Sequence, residues 1–157
     1  MSLVTLFVYG TLKRGFWNYE HYSQNAISIE EATLRGRLYE LPSGIPMLEV
    51  PDEDVLAEGT NDPLADARTQ EMVTIPHGLR EPHGWQVIHG EIVVFENPSI
   101  DLPPIDRLES FHPGQVSMYQ RVLLPVTSSD GTVIPAWCYV ASCMKGSGKL
   151  TGKCVWP

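Results

Sequence analysis

The stretch "YQRVLLPVTSSDGTVIPAWCYVA", residues 119–141, contains two apolar runs rich in β-branched and aromatic residues, separated by a short polar segment. Asp130 and Gly131 in that segment form the Asp-Gly pair that tight hairpin turns favour, because such turns require positive φ. The stretch therefore predicts a β-hairpin of two strands. Four other short apolar runs have strand composition: "LVTLFVY" (3–9), "ATLRGRLYEL" (32–41), "IPMLEV" (45–50) and "WQVIHGEIVVF" (85–95).

Six strands with few helices predict an α+β fold, a small mixed β-barrel with a few flanking short helices. The length of 157 residues and the 43% hydrophobic content indicate a single domain over 1–157. Within it, residues 51–84 are acidic and rich in Pro and Gly, which predicts a surface insertion with a short helix near 64–70. Residues 142–157 are expected to be a loosely held tail.

The net charge of −8 is concentrated between residues 49 and 66, which hold seven acidic residues and no basic one. The remainder is nearly neutral and has no basic stripe, so nucleic acid is not an expected partner. The acidic run lacks the order of a calcium loop and is expected to be solvated. No apolar run is long enough to span a membrane, and the three cysteines have neither disulfide nor zinc spacing, which favours a cytoplasmic location with reduced thiols.

The stretch "LFVYGTLKRG", residues 6–15, ends a predicted strand in a loop bounded by glycines. The lysine and hydroxyl that would complete a nucleotide-binding P-loop after Gly15 are absent. Two interpretations remain: an ordinary turn, or a backbone nest in which the N–H groups of residues 9–12 converge on a small anion such as a carboxylate.

The stretch "DLPPIDRLESFHPG", residues 101–114, predicts a helix that opens at Pro103 and Pro104 and ends before Pro113. At helical spacing one face carries Ile105, Leu108, Glu109 and His112, whereas Asp106, Arg107 and Ser110 point elsewhere. On an apolar face the pKa of Glu109 would be raised, as a general acid/base requires. The alternative is that Glu109 lies at the margin of this apolar face and forms an ion pair with Arg107, Arg121 or a lysine.

Other catalytic and metal sites are not indicated. The five histidines show no paired metal-ligand spacing, and no Gly-x-Ser-x-Gly elbow is present. We therefore expect no metal and no cofactor.

Together these segments resemble the γ-glutamylcyclotransferase-like family, which includes γ-glutamylamine cyclotransferases and AIG2-like proteins. The resemblance lies in "VYGTLKRGFWN" (8–18), "GRLYEL" (36–41), "HGEIVVF" (89–95), "IDRLESF" (105–111) and "YQRVLLPV" (119–126), in the family's order. Residues 51–84 are longer than the family's usual link, and "HPGQVSM" (112–118) lengthens the path from Glu109 to Tyr119.

The resemblance implies a cavity lined by the loop of Tyr9, Gly10, Thr11 and Leu12, with Glu109 as the catalytic residue. It implies that a γ-glutamyl amine or amide is cyclised to 5-oxoproline, releasing a free amine. Tyr119 would either add a hydroxyl to the pocket or serve in packing. The expected partner is a small γ-glutamyl substrate, and the protein is expected to be a monomer or a weak homo-oligomer. A non-catalytic barrel that binds a small ligand or a protein is the alternative function.

Overall fold

The computed structural model describes residues 3–9, 25–40, 46–75, 84–108 and 119–141. The strands in these residues are β1 (Val4–Val8), β2 (Ser28–Glu40), β3 (Pro46–Glu49), β4 (Ala57–Glu58), β5 (Gln86–Phe95), β6 (Tyr119–Ser128) and β7 (Val133–Ala141). The α-helices are α1 (Pro63–Met72) and α2 (Pro98–Leu108). A 3-10 turn spans Asp52–Asp54. The predicted tail at 142–157 lies outside the described residues.

Five of the strands form a closed barrel in the order β2, β5, β1, β7, β6. The barrel closes where β6 pairs back with β2, at Ala32 opposite Ser128 and Thr33 opposite Thr127. β1 and β7 run parallel, whereas the other neighbours are antiparallel. β3 and β4 extend the sheet beyond β2 and β6. The predicted small mixed barrel with short flanking helices is confirmed.

The hairpin predicted at 119–141 is formed by β6 and β7. Its strands pair from Tyr119 opposite Ala141 to Thr127 opposite Val133. Gly131 in the turn has a φ of 88°, a left-handed conformation that glycine adopts without strain. The Asp-Gly pair therefore marked the turn correctly.

Alternation along the strands produces two apolar clusters on opposite faces of the barrel wall. The interior cluster contains one face of all five barrel strands: Phe7, Tyr9, Ala32, Leu34, Leu38, Ile88, Ile92, Val122, Leu124, Val126, Ala136, Cys138 and Val140, with Leu48 and Val50. The outer cluster contains the opposite face and the apolar side of α2: Val4, Leu6, Val8, Met47, Val93, Phe95, Leu102, Ile105, Tyr119, Leu123, Trp137 and Tyr139. Helix α2 is thus packed against the outside of the barrel by burying Leu102 and Ile105 completely.

Helix α2 begins earlier than the sequence predicted. It starts at Pro98, and the N–H groups of Ile100 and Asp101 both donate to the carbonyl of Asn97 at 3.0 and 2.9 Å. Pro103 and Pro104 therefore lie inside the helix instead of opening it. The two prolines remove N–H groups that would bond residues 99 and 100, and those residues are exposed, so water can replace the missing bonds.

The acidic segment is packed into the fold where the structure describes it, in contrast to the solvated loop that we predicted. Asp54 and Asp66 are only 4% and 2% exposed. Strand β4 pairs with β6, and on α1 the Gln70 amide exchanges hydrogen bonds of 2.9 and 3.1 Å with Thr5 of β1. The predicted exposure is thus confirmed for Asp52, Glu53, Glu58 and Asp62 and is wrong for Asp54 and Asp66, which are buried against arginines.

Candidate active site

The structure describes only some of the predicted site residues. Gly10, Thr11, Leu12 and Glu109 lie outside the described residues, whereas Tyr9 and Tyr119 lie within them. The surroundings of the site are therefore built from the residues that flank these segments, Tyr9 at the end of β1 and the last turn of α2.

Tyr9 lies in the interior cluster and is 6% exposed. Its hydroxyl donates a hydrogen bond of 2.7 Å to the main-chain oxygen of Tyr139 on β7. Because β1 and β7 are parallel neighbours, this bond fixes the carboxyl end of β1 against the carboxyl end of β7. The point at which the chain enters residues 10–12 is thereby anchored.

Tyr119 is also buried, but its side chain belongs to the outer cluster with Ile105, Trp137 and Tyr139. Tyr9 and Tyr119 thus lie on opposite faces of the barrel wall. Their side chains are not brought together in one cluster, although β1 ends and β6 begins at the same end of the barrel.

The last turn of α2 is bonded to Tyr139, the residue of β7 whose carbonyl oxygen accepts from the Tyr9 hydroxyl. The Tyr139 hydroxyl donates to the Asp106 carboxylate at 2.5 Å. Tyr139 therefore contacts Tyr9 through its carbonyl and Asp106 through its hydroxyl. Asp106 was expected to point away from the apolar face, but it is only 8% exposed, because Tyr139 and Arg121 both donate to it.

Arg121 on β6 is the most buried charged side chain of the described residues, with 0% exposure. Its Nε and one terminal nitrogen donate to Asp106 at 2.9 and 3.2 Å. The other terminal nitrogen donates to Asp66 at 2.9 Å, and the main-chain oxygen of Thr60 accepts a further bond of 2.9 Å. The guanidinium also lies over the Trp137 ring, 5.2 Å from its centre. We call Asp66, Arg121 and Asp106 the arginine cluster.

Burial and the neighbouring charges together set the pKa values in this cluster. Desolvation raises the pKa of the Asp106 carboxyl above its ordinary value, although the Arg121 guanidinium and the Tyr139 hydroxyl oppose the shift. Desolvation by itself would lower the pKa of Arg121, but Tyr139, Asp106 and Asp66 outweigh it and leave that pKa raised. Arg121 therefore keeps its positive charge, which two carboxylates share.

A cleft of about 190 Å³ opens at the end of the barrel where β6 begins and β7 ends. Its apolar wall is made by Val50, Val55, Val122, Val140 and Ala141, and its polar residues are Tyr39, Glu49, Asp52, Glu58 and Gln120. Tyr119 does not line this cleft, because it faces the opposite side of β6 from Gln120 and Val122.

The family assignment follows from comparison with known proteins. A family model described as gamma-glutamyl cyclotransferase, AIG2-like, matches residues 6–72 and 64–156. The chain belongs to this family. Among the curated proteins, none matches the chain significantly.

Solved structures with the same fold are similar to this AIG2-like chain at low sequence identity. YkqA from Bacillus subtilis has a TM-score of 0.53 and 18% identity over 89% of this chain, which spans only 36% of YkqA. An AIG2-like protein from Mus musculus has a TM-score of 0.51 and 21% identity over 90% of this chain and 79% of its own. A glutathione-specific γ-glutamyl cyclotransferase from yeast has a TM-score of 0.50 and 11% identity over 97% of this chain and 73% of its own.

The sequence analysis of this AIG2-like protein missed the arginine cluster. Arg121 appeared only as a possible partner of Glu109, and Asp66 only as part of a charge run. The one available signal was an arginine in a strand of mostly apolar residues, "YQRVLLPV", since a buried arginine requires acidic partners. The pattern could not say which acids of the 19 would supply them.

Within the described ranges, no group of His, Cys, Asp and Glu side chains has the arrangement of a metal site. No helix among those ranges is long and apolar enough to cross a membrane.

Proposed function

We propose that the protein is a cofactor-free cyclotransferase that converts γ-glutamyl amines or amides into 5-oxoproline and a free amine. Glu109 serves as the general acid/base, and the N–H groups of Gly10, Thr11 and Leu12, next to Tyr9, bind the α-carboxylate or the oxyanion. Family membership supports the reaction class.

The observation that carries the proposal is the double attachment of Tyr139. Its carbonyl oxygen accepts from Tyr9, which precedes Gly10. Its hydroxyl donates to Asp106, which lies in the helix turn that precedes Glu109. Two segments about a hundred residues apart in the sequence are thus both tied to one residue of β7, directly before the chain enters residues 10–12 and Glu109. A general base and a set of backbone donors need this proximity to act on one small substrate.

The reaction requires neither a cofactor nor a nucleophile from the protein, because the substrate supplies the attacking amine. The α-amine nitrogen of the substrate attacks the carbonyl carbon of the γ-amide (Cδ), so that a five-membered ring closes and the bond from that carbonyl carbon to the nitrogen of the leaving amine breaks. Glu109 accepts the proton released by the α-nitrogen and returns it to the departing amine. Folding of the substrate chain into the ring-forming conformation and stabilisation of the oxyanion are the remaining requirements.

Tyr119 would act in this scheme by packing, the second of the two roles that the resemblance allows, since its side chain lies in the outer cluster. We further propose a cytoplasmic location, since the spacings of the three cysteines match no disulfide pattern, and a monomer or a weak homo-oligomer.

The test is to incubate the purified protein with γ-glutamyl amides of several amines and to measure 5-oxoproline, free amine and glutamate. We expect 5-oxoproline and amine in equal amounts. Glu109→Gln should lower the rate by roughly 100-fold or more, because general acid–base catalysis contributes on that order. Glu71→Gln, an exposed glutamate of α1, is the matched control and should leave the rate unchanged.

Release of glutamate instead of 5-oxoproline would contradict ring closure. If no amide is turned over but a γ-glutamyl compound still binds, the non-catalytic binding barrel is the correct function.

A further inference from the structure

The arginine cluster joins three parts of the chain that are far apart in the sequence. Arg121 lies on β6, Asp66 on α1 and Asp106 in the last full turn of α2. Asp66 is itself held by the Thr60 N–H at 2.9 Å and the Thr60 hydroxyl at 2.8 Å. The segment that is longer than the family's usual link therefore supplies one of the two carboxylates that fix Arg121.

The contacts of Arg121 specify direction as well as distance. Its Nε and one terminal nitrogen contact the two oxygens of Asp106 separately, a bidentate arrangement that fixes the guanidinium plane relative to the carboxylate. Asp66 on the other side prevents the guanidinium from turning away. The Asp106 end of helix α2 is consequently held by directional bonds to β6, in addition to the apolar packing of Leu102 and Ile105.

Stability alone does not explain such a cluster. Two carboxylates and one guanidinium carry a net negative charge, and burying them loses hydration that their mutual attraction only partly restores. An apolar cluster of similar volume is often as stable as a buried ion pair or more so. The contribution that an apolar replacement would not supply is the fixed orientation of the helix end.

We infer that Asp66, Arg121 and Asp106 position the last turn of α2, and through it the proposed general base Glu109, three residues beyond Asp106. The inference rests on the proposed function. These residues are positioning residues, and the long acidic segment acts as a support of the active site through Asp66.

The experiment compares three conservative variants in the full-length protein: Asp106→Asn, Asp66→Asn and Arg121→Lys. Asp66→Asn removes a charge but leaves an oxygen for Arg121 and a donor for the Thr60 hydroxyl. Asp106→Asn places an amide N–H₂ against a guanidinium nitrogen or the Tyr139 hydroxyl. Arg121→Lys keeps the positive charge but loses the fork that reaches both carboxylates.

The matched control is Asp54→Asn. Asp54 accepts two bonds of 2.8 Å from Arg35 and is as buried as Asp66, so the pair has the same chemistry, but neither residue contacts α2 in these bonds. The change in the free energy of unfolding of Asp54→Asn, together with its kcat, shows what the loss of a merely structural buried ion pair does.

We expect Asp106→Asn and Arg121→Lys to lower kcat roughly 10- to 100-fold with KM changed less than about threefold, since small displacements of a catalytic group act on the chemical step. Asp66→Asn should lower kcat in the same direction but less. The Asp66→Asn and Asp106→Asn effects should be non-additive, because both act through Arg121. Asp54→Asn should keep kcat within about twofold of the parent.

Circular dichroism and urea unfolding establish that each variant is folded under the assay conditions. Unchanged kcat in folded Asp106→Asn and Arg121→Lys, with an active parent protein, would overturn this inference and leave the proposed function intact. Equal losses of kcat in Asp54→Asn and Asp66→Asn would show that the arginine cluster only stabilises the fold. That result would also overturn this inference. A parent protein that turns over no γ-glutamyl amide would refute the proposed function, and this inference with it.

Discussion

Tyr9 and Tyr139 lie 130 positions apart and are joined by a buried hydrogen bond of 2.7 Å from the Tyr9 hydroxyl to the Tyr139 carbonyl oxygen. β1 and β7 pair in parallel at Leu6 and Trp137, so the bond joins the two segments again two to three residues beyond that pair. Since the Tyr139 hydroxyl contacts Asp106, the same residue couples the first strand to α2.

Tyr9→Phe should destabilise the protein by about 1 kcal/mol, because the Tyr139 carbonyl oxygen loses a buried donor while the ring still fills the interior cluster. Urea unfolding should show a lower midpoint with an unchanged slope. Tyr39→Phe is the control, since Tyr39 is only partly buried and its hydroxyl donates to Glu49 at 2.9 Å, where water can replace it. A Tyr9→Phe variant no less stable than Tyr39→Phe would show that the buried bond contributes little.

Gly59→Ala should destabilise the protein by about 2 kcal/mol, the range found for overpacking a closely packed site. A Cβ atom at this position would lie 2.9 Å from the Arg121 Cζ and 2.9 Å from the Arg121 main-chain oxygen, and the backbone contact cannot be relieved by a rotamer change. The free energy of unfolding of Glu58→Ala, an exposed neighbour, should change by less than about 0.5 kcal/mol. Equal stability of the two variants would contradict the close approach of Gly59 to Arg121.

Asp130 should titrate well below its ordinary range. The Ser128 hydroxyl and the Thr132 N–H both donate to its carboxylate and lower its pKa to about 2. Because the folded pKa lies below the unfolded value, the stabilisation is fully present above pH 3.8 and is lost as the pH falls through about 2. Carboxyl titration by NMR should give a midpoint near that lower value.

Ser128→Ala should move the Asp130 midpoint upward, since the hydroxyl is the largest contributor to the low pKa. Ser129→Ala is the control, because the Ser129 hydroxyl donates to Glu30 instead. A midpoint near 4 in the parent protein, or equal shifts in the two variants, would contradict the turn geometry.

The sequence by itself determined six of the seven strands that the structure describes, the hairpin turn and the barrel class, but it missed β4, which lies in the predicted insertion. Apolar runs of strand length and the Asp130-Gly131 pair depend on neighbours along the chain, so local chemistry is sufficient to indicate them. The start of α2 was predicted incorrectly because Pro98, Pro103 and Pro104 can each occupy a first turn, and propensity does not choose between them. Packing of Leu102 and Ile105 against the barrel selects the longer helix.

The tertiary structure alone decided which polar residues are buried and with whom. Arg121 contacts Asp106 and Asp66, 15 and 55 positions away, and no spacing rule relates residues that meet only after a barrel has closed. Charge density along the chain predicted exposure for Asp54 and Asp66, but desolvated arginines on β2 and β6 require carboxylate partners, and the fold brings these two within reach. Periodicity is a property of the chain, whereas the pairing of buried charges depends on which surfaces the folded chain brings together.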